Sequence, residues 1–370
     1  MFWRRRPIPP PRPAKRLPQK TKRLLLIRQD EVGDYILFRN FIAPLAQSKK
    51  YAAYDIYLCG NSSWRNLAEK IDSEYVRGFI WIDRRLWLNS MAYRWAQSLR
   101  IFSIRADTVI QSRYSREYQV DDRMVRASRS PHRIGHFGNV YNTSAAQALE
   151  SSSWYTQWQS TPSPLFEFER NRQFFEGVIE EPIVMAKPSL PADKLPAYPG
   201  VPVPYVLLFT GARLPAKRWA WRNFMQLGTK LYREWGLHIV VDAGLNAAQP
   251  SWSVGDEFID TTGKTSLIDL VGLVRGARLV ISNDTGVIHV AAALATPFVC
   301  VSNGSFYQRF SPYPKNIFPR SETVFPSELV RKIQANDIAP LPAMHHAYAP
   351  YPIDEISVER VLAAAKILLV

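Results

Sequence analysis

Between Leu279 and Leu294 the chain runs through a short apolar strand, a tight polar turn at Asn283-Asp284-Thr285-Gly286, and the opening turns of a helix made of small residues. A strand that passes through so few residues into a helix belongs to a layered α/β sheet, with helices covering parallel strands. The turn also aims backbone N–H groups, and the positive end of a helix dipole, at whatever lies above it, which suits a phosphate. Asp284 and His289 lie a little over one helical turn apart, so both can face the same ligand.

The same alternation runs through most of the chain. Apolar runs at 23–27, 54–59, 76–83 and 107–111 read as strands with helical segments between them, the first helix from Tyr35 to Leu45. A second series opens with a strand at 205–209 and continues through a helix at 221–235 and strands at 237–241, 279–282 and 298–301. Within it, Ser266 and Asp269 form a capping box ahead of helically spaced Leu267, Leu270, Val271 and Val274. Lys187–Pro204, with six prolines, separates the two series and reads as a linker. The predicted organisation is an arm over residues 1–22, an αβ domain over 23–186, the linker over 187–204, a second αβ domain over 205–352 and a terminal helix over 353–370. In a chain of 370 residues each domain is large enough to bury its own core.

Charge is unevenly placed. The net charge is +15, and residues 1–23 carry nine Lys or Arg and no acid. With six prolines and no hydrophobic periodicity, this arm is expected to be extended or disordered. It serves as a solubilising tail, or it binds an anionic membrane at about 1 kcal/mol per basic residue near the surface. No zinc-finger spacing or RNA-binding aromatic signature accompanies it, so nucleic acid is not an expected partner. No run is long and apolar enough to span a bilayer, and the N-terminus lacks the apolar segment of a secretory signal. Cys59 and Cys300 each sit in an apolar run and read as buried thiols of a reducing, cytoplasmic compartment. No Asp-x-Asp motif occurs, so neither a metal nor another cofactor is expected.

From Trp81 to Phe102 tryptophan and arginine are concentrated. Positions 84, 87, 88, 91, 95 and 99 fall largely on one face of a helix, dominated by Trp, Leu and Met. Such a stripe packs on the sheet, or it forms an amphipathic surface for a membrane or a lipid-linked acceptor.

Two αβ domains joined by a linker place a cleft between the C-terminal ends of their sheets, where ligands of open α/β sheets bind. Three turns reach it. In Val32-Gly33-Asp34 the glycine allows a tight turn, and Asp34 is either a helix N-cap or a carboxylate that takes a proton from a hydroxyl. In Thr210-Gly211-Ala-Arg-Leu-Pro-Ala-Lys217 a small-residue turn exposes N–H groups, and Lys217 can reach back as a point charge. The Gly-Lys-Ser/Thr ending of a phosphate-binding Walker loop is missing. The third turn is Asp284-Thr285-Gly286-x-x-His289, where the histidine faces a ligand or is satisfied within a core helix.

Together these turns resemble glycosyltransferase family 9, the heptosyltransferases. The resemblance covers roughly Leu24 to Pro314 and includes Arg133-Ile-Gly135 and the loop Ser302–Pro314. It implies a GT-B fold, two Rossmann-like parallel-sheet domains facing a central cleft, and an inverting, metal-independent transfer. Asp34 falls on the family's general base. Thr210, Gly211 and Lys217 match the loop that holds the donor pyrophosphate. Asp284, Thr285, Gly286 and His289 match the donor-sugar and phosphate turn, and Arg309 is a possible phosphate-neutralising substrate contact. The implied donor is a nucleotide sugar, ADP-heptose, and the acceptor a lipopolysaccharide-core or related glycan at the cytoplasmic face of the inner membrane. One departure touches the nucleoside: the acidic residue expected after the second strand of the donor domain has no clean match in Val241-Asp242-Ala-Gly244-Leu-Asn246. A nucleotide-sugar epimerase of the same fold and a non-catalytic glycan- or nucleotide-sugar-binding protein are the alternative readings.

Overall fold

The computed structural model describes residues 21–244, 257–337 and 351–370. Nearly all of the basic arm, and Leu245-Asn246, lie outside the described residues. The first sheet contains β1 (Lys22–Arg28), β2 (Tyr54–Asn61), β3 (Gly78–Ile82), β4 (Thr108–Gln111), β5 (His132–Phe137) and β6 (Gln157–Ser160) in the order β3-β2-β1-β4-β5-β6. The second contains β7 (Tyr205–Phe209), β8 (His238–Asp242), β9 (Phe258–Asp260), β10 (Leu279–Asn283), β11 (Phe298–Val301) and β12 (Ser321–Val324) in the order β12-β11-β10-β7-β8-β9. Every pairing in both sheets is parallel. The strand order reverses beside β1 and beside β7, and these switch points are where α/β sheets open a ligand crevice. This is the GT-B architecture.

The central strands are those most apolar in sequence. Leu24–Ile27 and Val206–Leu208 are fully buried because helices cover both faces. The sequence reading missed β5, β6, β9 and β12. These lie at or next to a sheet edge and read His-Arg-Ile-Gly-His-Phe, Gln-Trp-Gln-Ser, Phe-Ile-Asp and Ser-Glu-Thr-Val, too short or polar to announce a strand. The expected helix from Tyr35 to Leu45 is two helices, Val32–Phe38 and Ile42–Gln47, joined by a 3-10 turn. Pro44 cannot donate to the Asn40 carbonyl four residues back, so the α pattern is interrupted in the turn before it.

The Trp/Arg stretch is also divided. Ser90 is extended and caps a new helix, Met91–Ser103, by accepting from the N–H of Tyr93. The helix before it, Arg84–Asn89, buries Trp87 against the sheet. The cap resets the helical phase, so Gln97 and Ile101 face inward while Leu88, Met91, Trp95 and Leu99 are exposed. Of the stripe read from sequence, Trp87 packs on the sheet, while Leu88, Met91, Trp95 and Leu99 do not.

One apolar core runs across both domains. It joins Leu24, Phe38 and Phe175 of the first with Leu207, Ile288 and Phe298 of the second. The linker stitches the two halves, with Ser189 N–H donating to Asn40 Oδ1 at 2.9 Å and Leu190 N–H to the Ala293 carbonyl at 3.0 Å. The terminal helix Val358–Leu369 packs behind the second sheet. Among the described residues no helix is long and apolar enough to cross a membrane.

Candidate active site

Two helix N-termini meet at the floor of the cleft. The Val32–Phe38 helix follows β1, and the Gly286–Ala293 helix follows β10. They touch through Gly33 and Gly286. A Cβ on Gly33 would lie 2.9 Å from Gly286 Cα and 2.8 Å from His289 Cδ2, and a Cβ on Gly286 would lie 2.9 Å from Gly33 N. Gly33 therefore serves a close approach between domains and sits inside the helix, where the sequence suggested a tight turn.

The cleft above this contact has a volume of about 420 Å³. Asp34, Lys217, Asp284, Thr285, Gly286, His289 and Arg309 all line it. Thr210 and Gly211 do not. Thr210 is held by its N–H on the Asp242 carbonyl and by its carbonyl on Asn283, and Gly211 lies against the Ala243 carbonyl, where a side chain would collide. Ala212, Arg213 and Leu214 of the same loop form the wall in their place.

Asp34 is the third residue of its helix, and Glu31 holds the N-cap position, so Asp34 is not a cap. Among the described residues nothing donates a hydrogen bond to its carboxylate. Burial and the neighbouring Asp30 push its carboxyl up to about 7, against partial relief from Arg28 and Arg309. His289 moves the other way, to about 4, because burial disfavours the imidazolium. It is neutral at pH 7, with Nδ1 2.7 Å from the Tyr313 hydroxyl. Of the two, Asp34 is the group whose affinity for a proton matches neutral pH.

On the opposite wall Lys217 Nζ contacts Asp284 Oδ2 at 3.3 Å and donates to the Asp284 carbonyl at 3.2 Å. Ser302 and Ser311 hydroxyls also donate to that carboxylate, at 3.1 and 3.3 Å. Thr285 caps the helix, accepting from Val287 N–H. Lysine ammonium and helix terminus thus present positive potential on one side of the cleft.

Arg309, expected as a phosphate contact, is engaged by the protein itself. Its Nε donates to Glu167 Oε2 at 2.8 Å and its Nη1 to Ser115 Oγ at 2.7 Å, while its ring neighbours are Tyr114 and Phe310. Glu167 and Ser115 belong to the first domain, so Arg309 crosses the cleft. Burial works to raise the Glu167 carboxyl, but Arg309, Arg170 and Arg28 outweigh it and hold it below the usual range. Arg28 is itself fully buried, with Nε 2.9 Å from Asp30 Oδ1.

Sequence reading missed Arg28, Asp30, Arg84, Arg113, Ser115, Glu117 and Glu167. Asp30 and Glu31 were legible as the polar turn after β1. Glu117 joins Arg84 at 2.6 Å and Arg113 at 3.3 Å, a pairing that follows only from the fold. Asp242, the acid nearest the expected nucleoside position, is buried and engaged by Thr261, Thr265 and Gly244 N–H. It is a structural carboxylate that ties β8 to the loop after β9. No group of three or more metal-binding side chains occurs among the described residues.

Comparison with known proteins bears on the fold and on part of the sequence. Residues 161–324 match the family model "Glycosyltransferase family 9 (heptosyltransferase)". Lipopolysaccharide heptosyltransferase 2 of Salmonella typhimurium is 31% identical over 100 residues, covering 24% of this chain and 27% of that protein. The match thus spans about a quarter of the curated relative's length. The crystal structure of a family 9 glycosyl transferase from Veillonella parvula DSM 2008 superposes with a TM-score of 0.66 at 16% identity, covering 96% of this chain and 99% of that one. E. coli heptosyltransferase WaaC with ADP gives 0.64 at 14% identity, covering 94% and 100%. In sequence over residues 161–324, and in fold over nearly its whole length, the chain resembles glycosyltransferase family 9, the heptosyltransferases.

Proposed function

We propose that this protein is an inverting glycosyltransferase that moves a heptose or similar sugar from a nucleotide sugar to a lipopolysaccharide-core or related glycan. The single observation that carries the reading is Asp34, an unpartnered carboxylate near pKa 7, facing a lysine and a helix N-terminus across one cleft. The donor lies on the second domain, with its diphosphate at Lys217 and the Thr285-Gly286 terminus. Asp34 takes the proton of the acceptor hydroxyl as that oxygen attacks the anomeric carbon from the opposite side. The bond from that carbon to the diphosphate breaks, and the charge on the departing nucleoside diphosphate meets the lysine and the helix N–H groups. Asp284, fixed by Ser302, Ser311 and Lys217, has a second carboxylate oxygen left for a sugar hydroxyl. ADP-heptose is the donor we favour, since the similar WaaC structure is with ADP. No metal is needed when Lys217 and the helix terminus carry the leaving charge.

The test is release of ADP from ADP-heptose, with and without a core-glycan acceptor, in the presence and absence of EDTA. Release that needs acceptor and ignores EDTA supports the proposal. Consumption of donor without acceptor points to an epimerase or hydrolase, and no turnover with any nucleotide sugar points to a binding protein. The rate should rise with pH through about 7 as Asp34 ionises.

A further inference from the structure

The Met91–Ser103 helix turns an apolar face to solvent. Met91 is 78% exposed, Trp95 68%, Leu99 46% and Phe102 39%, and these four positions fall on one side of the helix. Leu86 and Leu88 of the preceding helix are also exposed, at 45% and 39%. Contiguous exposure of this kind marks a surface that meets something apolar. The charges along these two helices have one sign. From Arg84 to Ala106 there are five arginines and no acid. The neighbouring Arg123–Ser128 helix adds Arg123 and Arg126, and Arg129 lies over the Phe102 ring at 5.4 Å. Of these, Arg84 is paired with Glu117 at 2.6 Å, while other nearby acids are engaged elsewhere. Asp121 and Asp122 are buried and paired with Arg113 and Arg116, at 2.8 and 3.2 Å, while Glu150 accepts from the Tyr118 hydroxyl at 2.9 Å.

Between the two helices is a second cavity, of about 290 Å³, lined by Trp87, Arg94, Ser98, Tyr118, Arg123 and Arg126. Three arginines line it with no acid among the lining residues, the Arg123 guanidinium over the Tyr118 ring at 5.6 Å and that of Arg126 over the Trp154 ring at 4.7 Å, a setting for a phosphate oxygen.

We propose that this face is a docking surface for an anionic lipid bilayer, in which Met91, Trp95, Leu99 and Phe102 enter the interface while Arg94, Arg123 and Arg126 hold a lipid phosphate. An apolar stripe centred on tryptophan and bordered by arginine is the pattern of helices that lie in the interface plane. A second copy of the chain fits less well, because twofold pairing would set the same arginines against each other. The surface adjoins the cleft. Arg84 lines the cleft at the start of the Arg84–Asn89 helix, and that helix, about 9 Å long, leads directly to Met91. A bilayer held here lies beside the first-domain wall, where a lipid-anchored glycan would enter. Docking itself does not depend on the transferase reading.

The test is co-sedimentation of the full-length protein with vesicles of phosphatidylethanolamine and phosphatidylglycerol, and with phosphatidylcholine vesicles, at low salt and at about 0.5 M NaCl. High salt screens the basic arm, leaving the apolar contribution to be read alone. The expected result is binding of the wild type to the anionic vesicles, with part of it surviving high salt. Trp95→Ser with Leu99→Ser should lower the surviving part by about tenfold or more. Arg94→Gln, Arg123→Gln and Arg126→Gln together should weaken binding to the anionic vesicles at low salt by about tenfold or more, leaving the part that the basic arm supplies. Unchanged thermal melts will show that these variants fold. Wild-type-like binding by the Trp95/Leu99 variant at high salt overturns the proposal. So does a wild-type dimer that this variant dissociates while neither form binds vesicles.

Discussion

Replacing Asp34 with asparagine should make the protein more stable in mildly alkaline solution while abolishing transfer. The folded protein holds the Asp34 carboxyl near 7, against 3.8 for a free side chain. Between those values the native state binds more protons than the unfolded chain, so the free energy of unfolding falls as pH rises through the window. A shift of about three units corresponds to about 4 kcal/mol at full strength. The carboxylate opens onto cleft water, so about half of that, ~2 kcal/mol, is a fair expectation once screening is allowed for. An amide in the same place carries no such cost. For domains of this size the difference in melting temperature should reach about 4–8 °C near pH 8. It should shrink towards zero near pH 4, where both forms are neutral. Scanning fluorimetry of the two proteins across this range reads the gap directly. A gap that does not change with pH, or an Asp34→Asn variant that melts below the wild type at pH 8, would refute the reasoning and make Asp34 a paired structural acid. In the transfer assay the same variant should lose about 10²-fold or more in kcat, as expected for a missing general base.

Three further substitutions test other parts of the cleft. Gly33→Ala inserts a methyl against Gly286 and His289, which should cost about 1–3 kcal/mol in melts; a shift of about 1 Å between the walls would lower kcat about 10²-fold. Lys217→Ala should weaken ADP binding in calorimetry by about tenfold, and unchanged affinity would remove the lysine from the diphosphate site. Glu167→Gln leaves Arg309 and Arg28 with one buried anion fewer and should destabilise by about 3–5 kcal/mol, a loss that thermal unfolding would register.

The parts of this molecule that sequence announces are those where local chemistry repeats the global requirement. Leu24–Ile27 and Val206–Leu208 are apolar because both faces are covered, and the Asp284–His289 turn is polar because it ends a central strand. The edge strands offer no such agreement, since Gln157–Ser160 needs pairing more than burial. The exposed tryptophan face was legible as a helical stripe, but its direction was not. Ser90 decides that by starting a new helix, and a stripe pattern is blind to phase. Thr210 and Gly211 share a loop with the cleft wall yet sit just behind it, a difference of two residues that spacing does not resolve. Glu167 was invisible for another reason: its partners Arg28 and Arg309 come from the two ends of the fold.

The contact between Gly33 and Gly286 also couples the two positions genetically. One methyl group at either site already forces the helices apart, and the space so opened admits a second methyl at little added cost. The two alanine substitutions should therefore be strongly sub-additive, each masking the other, with a coupling energy of about 0.5–3 kcal/mol in a double-mutant cycle. Gly33 and Gly286 lie in different domains, far apart along the chain, yet a substitution at one should set what a substitution at the other costs.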